Sequence, residues 1–238
     1  MKRLTFFLTA LVLCLLSTQA GFAKKIKLTV SPEDASIYVD NNFVGKGAYT
    51  ANFSKRDGHI RVKFEKEGYV TRRMKILATD KRNSVDVELE KDDAYDASST
   101  SQLANKFFSI PVSHKYVEKA GSTDAAAKLA WKQLHQILMN YIEEIEESNM
   151  LGGYIQSAWV TKKFYNSSLN DIDGGVQWRT RVTIKESNDG ENLVYKVKVT
   201  SEVAPLNTTV EEYFTPINRV LKSFEPMISE FQARLSDF

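Results

Sequence analysis

The chain has 238 residues, 26% of them charged and 42% hydrophobic, with a formal net charge of +2 and a single cysteine. Without Lys2 and Arg3, 30 basic residues balance 30 acidic ones, which disfavours nucleic-acid binding because that function usually rests on a strong basic bias. The one thiol, Cys14, lies in the N-terminal apolar run, so the rest of the chain has no disulfide, no thiol chemistry and no cysteine-ligated metal.

The first element is an export leader. Met1-Lys2-Arg3 precedes an apolar run from Leu4 to Leu16, and small residues follow at Ala20, Gly21 and Ala23. This is the pattern of a signal peptide spanning residues 1–23, with cleavage after Ala20 or Ala23. The run is shorter than the roughly 20 apolar residues that span a bilayer. Cys14 is followed by leucine and not preceded by small residues, which argues against lipidation. The mature chain is expected in the periplasm or on the cell surface, without a transmembrane segment.

Residues 25–90 read as short antiparallel strands. Ile26, Leu28 and Val30 alternate with Lys27 and Thr29; Ile60, Val62 and Phe64 alternate with charged residues; Met74, Ile76, Val85, Val87 and Leu89 continue the period of 2. Pro32-Glu33-Asp34-Ala35 and Glu67-Gly68-Tyr69 are turn chemistry, and Asp40-Asn41-Asn42 suits a tight hairpin because asparagine tolerates positive φ. The expected product is a small all-β sandwich. The same residues, in the same order, resemble a PEGA domain. Pro32-Glu33-Asp34-Ala35 stands where the family has Pro-Glu-Gly-Ala, and Ile37-Tyr38-Val39-Asp40, Gly45, Gly58-His59 and Gly68-Tyr69 follow in family order. Lys46-Gly47-Ala48 replaces the family's usual Thr-Pro. The resemblance implies a non-enzymatic module of surface and envelope proteins; it carries over no binding residue.

Residues 91–104, with Asp92, Asp93, Asp96 and Ser98-Ser99-Thr100-Ser101, are polar and aperiodic and read as a linker. From 105 to 238 an α+β domain is predicted, an antiparallel sheet with two packed helices. Phe107, Phe108, Ile110 and Val112 around Pro111 suggest an edge strand. A helix capped by Ser122, Thr123 or Asp124 carries an apolar stripe from Ala127 to Ile145, with Glu143, Glu144, Glu146 and Glu147 off it and Gly152-Gly153 ending it. Three strands follow, at 154–164, 176–185 and 193–203, with turns at Asp173-Gly174-Gly175 and Asn188-Asp189-Gly190. Thr215-Pro216 opens a last helix with Ile217, Val220, Leu221, Phe224, Ile228, Phe231 and Leu235 on one stripe, kinked at Pro226. Ala130-Trp131-x-x-Leu134, Gly152-Gly153, Tyr154-Ile155 and Trp159 are similar to helix-grip modules of outer-membrane assembly accessory proteins, which implies a role in envelope assembly.

No catalytic constellation emerges. His59, His114 and His135 are scattered, no Gly-x-Ser-x-Gly or phosphate-binding glycine loop occurs, and Asp171 and Asp173 lack the rest of a calcium loop. Neither a metal nor a cofactor is expected. In the second domain Arg179, Arg181, Lys185, Lys196 and Lys198 fall on one side of alternating strands. Arg179, Arg181 and Lys198 are the candidate binding residues, open to an acidic glycan or an envelope protein. The expectation is therefore a non-catalytic binding or scaffolding protein of the cell envelope. The alternative is an envelope hydrolase with a site dispersed through the second domain.

Overall fold

The computed structural model describes residues 24–53, 58–188 and 191–236. The expected leader, and Asp189-Gly190 of one expected turn, lie outside the described residues. The chain divides into two units, one of residues up to Lys66 with Arg72–Leu89, the other of Glu67–Thr71 with Glu90–Phe238.

The first unit is a small β sandwich. One sheet, in the order β4-β1-β7, contains β1 (Lys25–Ser31), β4 (Ala48–Asn52) and β7 (Ser84–Glu88). The other, in the order β3-β2-β5-β6, contains β2 (Ser36–Val39), β3 (Asn42–Lys46), β5 (His59–Glu65) and β6 (Arg72–Leu77). The alternating residues of the sequence form its core: Ile26, Leu28, Ile37, Ile60, Val62, Phe64 and Ile76 are buried. One pairing departs from the antiparallel expectation, because β7 runs parallel to β1. Parallel neighbours need a long crossover, and the chain supplies one by building the other sheet in between.

Asp40 and Asn41, at φ 47° and 67°, take the two left-handed positions of the β2–β3 hairpin, and Asn42 already begins β3. Gly47 has φ 69°, and a Cβ there would stand 2.5 Å from the backbone carbonyl of Glu33. Its N–H donates to Ala35 O and its own carbonyl accepts from Val30 N–H. The absence of a side chain thus lets this strand lie against the 32–35 turn. Gly47→Ala is expected to cost about 2–3 kcal/mol, combining the left-handed penalty with the clash. Urea unfolding, with unchanged m and lowered midpoint, checks it.

The second unit is α+β. Its elements in chain order are α1 (Asp93–Asp96), β8 (Ser98–Thr100), β9 (Phe107–Pro111), α2 (His114–Ala120), α3 (Thr123–Tyr141), β10 (Ile145–Asn149), β11 (Tyr154–Ser157), β12 (Val160–Phe164), β13 (Val176–Asn188), β14 (Leu193–Pro205), β15 (Thr215–Pro216), β16 (Arg219–Leu221) and α4 (Glu225–Ser236). The main sheet runs β10-β11-β13-β14-β15, with β12 also pairing β13 and β9 also pairing β14. Leu134 and Leu138 of α3, Met227 and Phe231 of α4, and Trp178, Val182, Ile184, Tyr195, Val197 and Val199 of the sheet share one core. The helices therefore cover one sheet face. Tyr195, deep in that core, donates to Glu186 Oε2 at 2.9 Å, and burial pushes its phenol well above the ordinary value.

Four local expectations change. Residues 91–104, read as a linker, carry α1 and β8 within the second unit. Their polarity serves buried hydrogen bonds: Asp92 accepts from Tyr95 N–H at 3.0 Å, Ser167 Oγ–H at 2.7 Å and Ser168 N–H at 2.8 Å. The helix expected to reach Ile145 ends at Tyr141, with Ile142 extended. Glu143–Glu147 would have opposed the dipole at a helix end. Instead they lead into the edge strand β10, where charge discourages unwanted strand pairing. The strand expected at 154–164 is split into β11 and β12, both paired with β13. The last helix starts at Glu225, with Pro226 in its first turn where a missing N–H costs nothing. Ile217, Val220 and Leu221 bury their side chains from extended backbone instead.

Candidate functional site

The sheet face of the second unit turned away from its helices carries the predicted cations. On β13, Arg179, Arg181 and Lys185 alternate with core residues, and the register sets them opposite Glu202, Thr200 and Lys196 of β14. Lys198 lies opposite Thr183, and Phe107 of β9 opposite Lys198. Period-2 alternation on paired strands therefore puts Arg179, Arg181 and Lys198 on one side of the sheet. It does not make them equivalent.

Arg179 is structural. Its guanidinium lies 4.2 Å from the Trp159 ring centroid and 3.8 Å from that of Phe214. Its Nε donates to Glu202 Oε2 at 2.8 Å, Nη2 is 2.7 Å from the same oxygen, and Nη1 pairs with Glu211. The residue is 7% exposed. Glu202, Glu211 and Phe214 were not singled out in the sequence, since nothing in their spacing connects residues 23 to 35 positions away from Arg179 with its side chain. Trp159 is half-buried on this open face.

Arg181 also stacks on Trp159, 4.3 Å from the ring centroid, and its Nη1 is 4.0 Å from Glu146 Oε2. Its Nε, and Oγ1 of the facing Thr200, are buried without a hydrogen-bond partner among the described residues. Thr200 is 9% exposed. Beyond them, Phe107 sits between Lys185 and Lys198, at 5.3 and 5.2 Å, and Lys185 also reaches Tyr154 at 5.9 Å. Lys185, Lys196 and Lys198 make no ion pair among the described residues. The face thus has a neutralised end at Arg179, an unneutralised lysine end around Phe107, and two unsatisfied polar groups between them. Among the described residues no group of three or more His, Cys, Asp or Glu converges as for a metal. No described helix is long and apolar enough to cross a membrane.

The first unit is identified by its turns. The Pro32–Ala35 turn closes on Gly47, the Asp40-Asn41 hairpin precedes Gly45, and Gly68 turns at φ 79°. Residues 24–93 match the PEGA domain. The match includes Glu67–Thr71 and Glu90–Asp93, which the contacts assign to the second unit. Its aspartate at position 34 pairs with Lys66 at 2.6 Å, and this lysine holds the carboxyl below the ordinary carboxylate range. None of the curated proteins matches the chain. Among solved structures, a Bacteroides fragilis protein of unknown function, described as membrane-associated, aligns with 81% of this chain and 97% of its own. The identity is 9% and the TM-score 0.25, too distant to carry any argument.

Proposed function

We propose that the protein is a non-catalytic binding module of the cell envelope, exported by its leader, whose second unit holds an acidic partner on the open sheet face. The observation that carries this reading is the pairing of Arg181 Nε with Thr200 Oγ1, both buried and both without a partner among the described residues. Buried polar groups are nearly always satisfied, and an exception is explained by strain, an ordered water or a bound ion; of these, the bound ion fits the cationic surroundings. Flanked by Lys185, Lys196 and Lys198, these groups suit an anion: the guanidinium N–H donates, and so can the hydroxyl. The PEGA domain and the leader support an envelope location.

Arg181→Gln/Lys185→Gln/Lys198→Gln is expected to leave unfolding free energy within about 1 kcal/mol of wild type, since these side chains are partly exposed. Association with isolated envelope should weaken by about tenfold or more, an effect of about 1.4 kcal/mol, and the difference should shrink as salt rises. Thr200→Val should be neutral or slightly stabilising, because it removes an unsatisfied hydroxyl, yet weaken the same association. Wild-type association by the triple variant across a salt titration would overturn the reading.

A further inference from the structure

The overall charge balance hides a division. Residues 24–66 and 72–89 carry 14 basic and 8 acidic residues, a net of +6. Residues 67–71 and 90–238 carry 16 basic and 22 acidic ones, a net of −6. Much of the first unit's excess is gathered on the outer face of its four-stranded sheet. Arg61 of β5 lies directly opposite Lys75 of β6, and Lys63 opposite Arg73. Directly opposed side chains on neighbouring strands are about 5 Å apart at Cβ, and like charges so placed destabilise a sheet. Successive members along a strand are about 7 Å apart. Glu65 pairs with Lys63 at 2.7 Å, and Asp40 accepts the Arg61 backbone N–H at 2.9 Å, so among the described residues the open cationic donors of this face are Arg61 and Lys75.

The array surrounds a concavity of about 300 Å³ lined by these four cations with Asn41, Val62 and Met74. Next to it the same cross-strand row continues into aromatic rings. Tyr38 lies opposite Lys63, whose ammonium is 4.4 Å from the ring centroid, and Phe43 lies opposite Tyr38 in an edge-to-face contact at 5.6 Å. Phe43 is 57% exposed. A row of the sheet thus reads exposed aromatic, aromatic, lysine, arginine, with a second cationic pair one step along.

We infer that this face of the PEGA domain is a binding site for an acidic polysaccharide. An uronic-acid ring matches its three features together. The apolar ring face stacks on the exposed Phe43 ring, which Tyr38 holds in place edge-to-face. The carboxylate sits between Arg61, which offers paired N–H groups, and Lys75 directly opposite it. The next acidic residue of the polymer meets the second cationic pair. The size of the concavity is at the small end of ligand pockets, which suits one sugar unit of a chain that continues over the surface. A bilayer is a poorer fit, because among its described residues this face offers one exposed aromatic side chain, Phe43, beside its cations. Four cations on an otherwise balanced chain are also few for nucleic acid.

The test is calorimetric titration of the protein with polygalacturonate. It is done in the Arg181→Gln/Lys185→Gln/Lys198→Gln background, so that the face discussed above has lost its central donor and two of its lysines and the two readings fail separately. Binding should be detectable at low salt and fall as salt rises, while neutral dextran gives none. Arg61→Gln/Lys75→Gln should weaken it about tenfold or more, and Phe43→Ala about threefold. Arg61→Lys/Lys75→Arg, which keeps the charges, should bind within about twofold of the background. Because Arg61→Gln/Lys75→Gln relieves like-charge repulsion, its unfolding midpoint should not fall. No binding of polygalacturonate, equal binding by Arg61→Gln/Lys75→Gln, or binding confined to phosphatidylglycerol vesicles or a single-stranded oligonucleotide would each overturn the inference.

Discussion

Arg219→Ala is expected to destabilise the second unit by about 4 kcal/mol. Arg219 is buried and lies in β16, paired with β8. Its Nε donates to Ser98 Oγ at 2.8 Å, Nη1 to Thr100 Oγ1 at 3.2 Å, and Nη2 to Tyr95 O at 3.0 Å and Ser98 O at 2.8 Å. The guanidinium also lies 3.8 Å from the Tyr95 ring centroid. These acceptors are neutral, so the interaction works through a fork of directed donors. Removing the side chain takes the charged donor from the buried Ser98 carbonyl, a loss of about 1–3 kcal/mol, weakens the donor set at Tyr95 O, which keeps Ser98 Oγ–H at 3.3 Å, and opens a cavity beside the ring. Arg219→Lys should recover less than half of the loss, because an ammonium cannot reproduce the planar fork. In a unit of this size the thermal midpoint should drop by about 10 °C for the alanine variant. A drop of less than about 3 °C would show that residues 95–100 are held by other contacts.

The second large effect is expected at Arg179. Arg179→Ala should cost about 3 kcal/mol, because it strands the partly buried Glu202 carboxylate and separates the rings of Trp159 and Phe214 that enclose the guanidinium. Measured by urea unfolding, this contrasts with the near-neutral triple substitution of Arg181, Lys185 and Lys198 on the same face. Quenching of Trp159 should also change, since one of the two guanidinium groups stacked on its ring is lost while Arg181 remains. Equal stability of Arg179→Ala and the triple variant would mean that Arg179 is no more than another solvated cation.

The difference between these arginines marks what local pattern conveys. Alternation along 176–185 and 193–203 placed Arg179, Arg181 and Lys198 on one side of the strands, and the pairing of β13 with β14 follows that alternation. The neutralisation of Arg179 depends on Glu211 and Phe214, which arrive from a loop beyond β14. No periodicity records such a meeting. The unsatisfied pair Arg181 and Thr200 is likewise a matter of register, because a shift by one residue would separate them.

The sequence by itself determined the strand faces of the first unit, the PEGA order of turns, and the presence of an antiparallel sheet with helices on its apolar side. Each depends on residues near one another in the chain, where period 2, period 3.6 and turn chemistry act. Tertiary structure alone decided the parallel pairing of β7 with β1, the extended course of Glu143–Glu147 and of Ile217–Leu221, and the order within residues 91–104. Apolar side chains at 217, 220 and 221 can be buried from a helix or from strands, and only the partner at Ser98–Thr100 selects between them. A polar stretch such as Asp92 to Ser101 looks like a linker until its donors and acceptors meet Ser167, Ser168 and Arg219, more than 70 residues away. Buried hydrogen bonds between distant residues leave no local signature, because each partner alone is an ordinary polar residue that water would serve as well.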